Sequence, residues 1–472
     1  MTAIEDPVTT GEHIGAAVAR LLARTPDASG RLVSTGVEVA AVDPIALFAA
    51  IGEADLEAAL WLQPSEGFAL VGAGRAWAAE SDGPVRFRDA EAAWRAAVGG
   101  ATIEGEAAPT LLGGLGFTGR RPSVGDPWTP FGPSSLVLPA LLFASRGGTA
   151  TLTASAVGAP DPRAADARWD ALRDRARALT PPSAGLVARP VFAPLRTDRS
   201  QPDRPAWDRT VETMAGAVGR GRLEKVVLAR RVDLRSPVEL DVPNALRRLA
   251  ASAPESTVYA FRRVGRTFLG ATPERLVRVD GRRFRTAAIA GTIGRGADAA
   301  EDAALAAELL ASEKDREEHA IVVRYIRQLL APVAAEMKVA PQPSVMTLRF
   351  VQHLATAIEG RLPDDAGLLA LVERLHPTPA VGGDPREAAL AMIDEHEGFE
   401  RGWYAGPVGW MDGAGDGELC VALRCGIVDR TRATLFAGCG IVADSDPARE
   451  WEESRIKLRA VVSALGMLED EA

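Results

Sequence analysis

The sequence predicts an α+β fold. Three observations carry that reading. Short apolar runs with β-branched residues follow one another as hairpins, and the clearest is closed by Asp280-Gly281. Helical stretches are interspersed among the runs instead of alternating strictly with them. The last of these stretches opens at Asp446-Pro447, an N-cap followed by proline at the first helical position. Taken in order, residues 12–26 form an amphipathic pattern, and 86–98 and 161–179 are two more helices rich in Ala and Arg. Between them Phe68 to Val71 and Leu111 to Gly116 read as strands set off by glycine. Residues 180–206 carry several prolines and no period, and so predict a connector. Residues 207–219 predict a helix, Lys225 to Leu234 a strand, and 243–252 a helix. A meander follows over Thr257–Arg263, Thr267–Ala271, Arg275–Val279 and Arg283–Ile289. Residues 298–336 predict one or two long helices, and 365–374 and 385–396 shorter ones. Glu418–Val428 and Ala433–Val442 predict two last strands.

Length and composition narrow the function classes. The 472 residues could fill two or three average domains or one large fold with a composite core. A net charge of −9 without a long basic run argues against broad nucleic-acid binding, though not against a local basic pocket for a small anion. Leu136 to Phe143 is the most apolar stretch. It contains Pro139 and is too short to cross a bilayer. Met1 to Thr10 is acidic and unlike a secretory leader, so a cytoplasmic protein is expected. Cys420, Cys425 and Cys439 lack metal-ligand spacing and are expected as small reduced core residues.

Lysine usage is sharper. There are four lysines, Lys225, Lys314, Lys338 and Lys457, against fifty arginines. Arginine cannot lose its proton in a protein and lysine can, so each lysine is either a chance surface residue or a position that needs an amine. Lys225 alternates with Val227 and Ala229 on an apolar sheet face, where it either reaches out to water or is desolvated and reactive.

Several carboxylates are spaced for chemistry. Asp315 and Glu318 share one helical face, and so do Glu450 and Glu453, with Lys457 four residues further on. Paired carboxylates on two helices suit a hard divalent cation such as Mg²⁺, and equally suit a solvated charged face. Glu274, just after a proline, is either a surface turn residue or a stiffly held general acid. Arg424, read as mid-strand among apolar neighbours, needs an anionic partner. Gly438 and Gly440 would let backbone N–H groups approach an anion. His353 is either a pocket residue or a hydrogen-bonded core histidine. No phosphate loop, dinucleotide fingerprint, zinc signature or nucleophile elbow occurs.

Ten segments in order then make a resemblance specific. They are KVVLARR at 225–231, GATPERL at 270–276, AIAGT at 288–292, SEKDREEH at 312–319, VQHLAT at 351–356, HPTPAVGG at 376–383, RGWYAGPVGW at 401–410, ALRCG at 422–426, AGCGIV at 437–442 and EWEESRIKL at 450–458. Together they resemble the chorismate-utilising enzymes. That family includes isochorismate synthases, salicylate synthases and the large subunits of anthranilate and aminodeoxychorismate synthases. Residues 207–466 carry the motifs, while 1–200 match loosely. The resemblance implies a single chorismate-binding fold over 1–472, of the anthranilate synthase component I type, with two antiparallel sheets packed among helices. It implies Mg²⁺ held by Glu318 and Glu453, with Asp315 and Glu450 in support. It places Thr292, His353, Tyr404, Arg424, Gly438, Gly440 and Lys457 around the substrate.

The resemblance also implies a reaction. Family members that add water carry Lys at the position of Lys225, as general base, where those that add ammonia typically carry Gln. Ala290 stands where aminodeoxychorismate synthases often carry a nucleophilic Lys. The implied activity is isochorismate synthase, with water entering ring carbon C2 and Glu274 protonating the departing C4 hydroxyl. The product would serve menaquinone or siderophore biosynthesis. Salicylate synthase, with a further loss of pyruvate, and a non-catalytic chorismate binder are the alternatives. The expected partners are chorismate and Mg²⁺, with no nucleic acid, membrane or glutaminase subunit, in a monomer.

Overall fold

The computed structural model describes residues 13–25, 30–181, 196–347, 351–364 and 366–466, with every side chain among them except those of Lys314 and Glu318. Met1 to Thr10 and most of the proline-bearing connector lie outside these residues. Two sheets dominate, one of 13 strands and one of 10. The fold is α+β, and every strand pairing is antiparallel except Leu32–Glu38 with Thr102–Gly105. In the larger sheet the strands of the motif-bearing part form one block and those from the first 160 residues another, and the two blocks join edge to edge. Ala58–Gln63 pairs with Thr257–Arg263 at that join.

The local signals act within a residue of where they are expected, the hairpin turn falling one residue after Asp280-Gly281. The hairpin of Arg275–Asp280 with Arg283–Gly294 turns at Gly281 and Arg282, both at positive φ (52° and 71°), as a two-residue turn that matches strand twist requires. The terminal helix Pro447–Ala464 begins with the Asp446 carboxylate accepting from Arg449 N–H, at 2.9 Å. The long helical stretch divides into Ala299–Ala311 and Glu313–Leu330 at Ser312, whose side chain caps the second helix.

Two expectations are corrected. Residues 196–201 of the connector form an edge strand, because antiparallel pairing with Arg231–Arg235 satisfies their backbone without an apolar pattern. Glu418–Val428 is two strands in different sheets, Gly417–Val421 in the smaller and Cys425–Asp429 in the larger. Arg424 is therefore not mid-strand. It lies at the crossing, with φ at 49°.

The main core fills the space between the sheets, with the helices Arg86–Gly99 and Leu368–Leu375 packing at its margin. A second cluster lies on the other face of the larger sheet. It is covered by Ile14–Arg24, Pro44–Glu53, Pro162–Leu179, Val242–Ser252 and the terminal helix. The three cysteines are buried free thiols. No described helix is long and apolar enough to cross a membrane. Trp403, fully buried, has ring neighbours in Phe131, Phe261 and Phe268 at 5.5–6.1 Å, and its indole N–H donates to Gly132 O at 3.1 Å. Removing that ring leaves a cavity and an unpaired carbonyl. Trp403→Ala should lower stability by ~3–5 kcal/mol, read from denaturant midpoints.

Candidate active site

The chain changes sheets at two adjacent places. Arg266–Thr272 belongs to the larger sheet and Arg275–Asp280 to the smaller, so Pro273 and Glu274 span the crossing. Ala422–Arg424 span the second crossing in the opposite sense. The two are stitched together. Val421 N–H donates to Glu274 O at 2.9 Å, Ala271 N–H to Arg424 O at 3.2 Å, and the Thr272 hydroxyl to Val421 O at 2.6 Å. Sheet hydrogen bonding has run out at both points, so their side chains turn into the gap between the sheets.

That gap is a cavity of about 450 Å³, within the ~300–1,000 Å³ usual for small-molecule sites. Lys225, Glu274, Thr292, His353, Tyr404, Arg424, Gly438 and Lys457 all line it. Lys225 begins the strand Lys225–Arg235, and Gly438 and Gly440 lie on its neighbour Arg432–Ile441. Gly440 is not itself on the wall, but a Cβ there would collide with Lys225 Cε, so the glycine makes room for the lysine. A Cβ on Gly438 would lie 3.0 Å from Tyr404 Oη. Gly440 pairs with Val227 and Gly438 with Ala229, whose own N–H groups point the other way, to Gly382 O and Glu397. The alternation of antiparallel pairing therefore turns the glycine N–H groups away from the Lys225 strand, towards the side where the strand Cys425–Asp429 has ended.

The electrostatics centre on Glu274. Its carboxyl is enclosed by protein, and desolvation raises its pKa to about 7 despite opposing attraction from Lys225, Lys457 and Arg424. Burial lowers the pKa of Arg424, and the nearby acidic groups Tyr404, Glu274 and Glu453 act against that shift. Tyr404 stacks on Phe436 at 5.3 Å, and burial raises its pKa, which keeps the phenol a proton donor. Lys457 Nζ donates to Gly438 O at 2.8 Å and to Glu453 at 2.7 Å.

Thr292 and His353 are cross-strand partners in the smaller sheet. His353 Nδ1 lies 3.2 Å from Gly291 O and 2.9 Å from the Thr292 hydroxyl. A carbonyl only accepts, so Nδ1 is the protonated nitrogen in that bond. Burial lowers the histidine's pKa, with Arg424 and Lys457 adding to the effect. Both readings of this histidine hold at once, since it is hydrogen-bonded and it lines the pocket.

Three of the carboxylates expected to hold a metal, Asp315, Glu450 and Glu453, do not line the cavity wall. Glu450 is half-buried, and its pKa is raised first by burial and also by the neighbouring Glu453. Asp315 accepts from the Ser312 hydroxyl and packs beneath Gly291, a wall residue. The Glu318 side chain lies outside the described ones, and among the described residues no three His, Cys, Asp or Glu side chains form a metal cluster. The donor chemistry fits a hard cation on one count: Glu450 and Glu453 stand one helical turn apart and raise the local negative charge, which Lys457 offsets in part.

The loop Thr378–Val381 forms one wall, and Glu224, Tyr325 and Asp384 also line the cavity, none of them expected from sequence. HPTPAVGG was the available signal, since two prolines hold that loop off helical geometry.

A family model described as chorismate binding enzyme matches residues 17–466. The chain belongs to that family. It is 39% identical over 446 residues to the salicylate biosynthesis isochorismate synthase of Pseudomonas aeruginosa, covering 93% of this chain and 92% of that one. It is 36% identical to isochorismate synthase MenF of Bacillus subtilis, covering 76% and 75%. Among solved structures it is similar to MenF, the menaquinone-specific isochorismate synthase from Escherichia coli. There the TM-score is 0.77 at 26% identity, over 95% of this chain and 99% of that one. It shares its fold with anthranilate synthase component I from Streptococcus pneumoniae, with a TM-score of 0.66 at 21% identity over 84% and 92%.

Glu274 generates a pH prediction. Unfolded, its carboxyl returns to an ordinary value near 4.5, and folded it titrates at about 7. Between those values the folded state keeps a proton that the unfolded chain has released, so this group lowers stability as pH rises through the window. Glu274→Gln should remove that slope from denaturant midpoints measured between pH 4.5 and 7. An unchanged slope would assign the proton to another group.

Proposed function

We propose that this protein is an isochorismate synthase, converting chorismate to isochorismate with Mg²⁺. The carrying observation is the convergence of Lys225 and Glu274 on one cavity, together with the cations Arg424 and Lys457. Chorismate is a dianion with a ring bearing a hydroxyl. Arg424, Tyr404, the N–H groups around Gly438 and Gly440, and Lys457 offer an anion site for the enolpyruvyl carboxylate.

Lys225 takes a proton from water, and the water oxygen bonds to ring carbon C2. The double bonds shift, the C4–O bond breaks, and Glu274 gives its proton to the leaving hydroxyl, releasing water. One water enters and one leaves, so the net change is an isomerisation. A carboxyl that still holds its proton near neutrality suits this acid role. Thr292 and His353 would orient the ring from the opposite wall. Charge neutralisation at the ring carboxylate is what a Mg²⁺ ion would supply, held by Glu318 and Glu453 with Asp315 and Glu450. Ala290 on the wall supplies no amine nucleophile, and Lys225 favours water over ammonia.

Incubation with chorismate and Mg²⁺ should yield isochorismate without pyruvate. Salicylate with pyruvate would assign a salicylate synthase, and anthranilate formed with ammonium would assign the amination route. Lys225→Ala and Glu274→Gln should each cut turnover by at least ~10²–10⁴-fold with unchanged far-ultraviolet circular dichroism. Wild-type kinetics in either variant would remove that residue from the mechanism. EDTA should abolish activity and added Mg²⁺ restore it. Full activity without a divalent ion would refute the metal.

A further inference from the structure

The strand that carries Lys225 has a gap along one edge. Its pairing with Arg432–Ile441 is continuous. On the other side Lys225 and Val226 pair with Asp384 and Gly383, and the pairing with 196–201 begins only at Arg231. Among the described residues no strand lies beside 227–230 there, yet the backbone groups of Val227 and Ala229 that point that way are buried and must be satisfied.

Two side chains fill the gap. Ala229 N–H donates to Glu397 Oε1 at 2.8 Å, and Arg401 donates to Val227 O at 2.9 Å. The other arm of Arg401 donates to Val381 O at 2.7 Å. Arg401 and Glu397 form an ion pair with both side chains 2% exposed, and the guanidinium lies over the Phe117 ring at 4.2 Å. Val227 and Val381 both line the cavity. One guanidinium outside the cavity therefore grips the carbonyls of two of its walls, the Lys225 strand and the Thr378–Val381 loop. The guanidinium is not among the groups lining the cavity, and of those proposed to hold the substrate carboxylate it meets Tyr404 alone, lying 5.9 Å from that ring's centroid.

We propose that Arg401, fixed by Glu397, is the positioning residue that sets Lys225 against the Thr378–Val381 wall. The proposal rests on the reading of Lys225 as the base that activates water. A planar fork reaches two carbonyls at once, which a lysine amine on its flexible stem does not reproduce. A buried charge pair costs desolvation that an apolar pair would not. Its retention here follows from the two backbone groups it must satisfy.

The test uses the full chain as Arg401→Lys and Glu397→Gln, each first shown to be folded by circular dichroism and thermal unfolding. For Arg401→Lys, kcat should fall about 10–100-fold, as expected for a misplaced base. KM for chorismate should change by less than kcat, because Arg424, Lys457 and the two glycines lie on other elements and Tyr404 alone adjoins Arg401. Glu397→Gln keeps an oxygen for Ala229 N–H. It should change in the same direction by less, and it carries the test alone if Arg401→Lys does not fold.

A second readout needs no turnover. Acylation of the lysines by an N-hydroxysuccinimide ester, followed by mass spectrometry, gives the rate at Lys225 relative to Lys457. That ratio should shift in the variants. A shifted ratio in protein that makes no isochorismate would uphold the positioning and sink the functional reading. An unchanged ratio in folded variants, with kcat either intact or lost only in step with the folded fraction, would overturn the positioning role.

Discussion

The structure depends on the chain leaving one sheet for the other twice, side by side and in opposite senses. Each crossing ends a run of backbone pairing and hands its polar groups to the other crossing, through the hydrogen bonds of Val421 with Glu274 and of Ala271 with Arg424. Sheet strands point their side chains up and down. A chain passing between sheets can point one along the gap. Glu274 and Arg424 are the residues placed to do so, and every other group of the site is arranged around that opening.

The opening is walled by protein, and low polarisability inside it decides the charges. Three cations act on Glu274, each favouring the carboxylate, yet burial outweighs them and the proton stays on up to about pH 7. Tyr404 and His353 are pushed towards their neutral forms by the same burial. The site thus holds neutral hydrogen-bonding groups on some walls and cations on others, which is a mixture suited to a dianion with one reacting hydroxyl. The Arg401–Glu397 pair behind it satisfies backbone where the sheet is incomplete, so the wall carrying Lys225 is as fixed as a paired strand.

Short-range signals in the sequence led to several elements and were overlooked at Asp43-Pro44, where a cap and a proline open the helix Pro44–Glu53. The two-residue turn at Gly281-Arg282 followed from Asp-Gly, the terminal helix start from Asp446-Pro447, and the meander from its alternation. Glu418–Val428 was misread as one strand because both halves are apolar and nothing local marks Ala422–Arg424 as a crossing. The edge strand at 196–201 was missed because its pairing partner, and no apolar pattern, makes it a strand. The cavity residues came from motif order. No motif assigned a task to Glu397, since its significance lies in a backbone gap 168 residues away in the chain.

By itself the sequence determined the class of fold, the family, and the chemical types available: a scarce amine, a carboxyl after proline, an arginine among apolar neighbours and two glycines beside a helix. Those depend on residue identity and near neighbours, which the chain states directly. Only the tertiary structure decided which of them share a cavity, which way the glycine N–H groups face, and that Glu274 keeps its proton. Desolvation and edge pairing are properties of the surroundings, and the surroundings come from residues scattered over the chain.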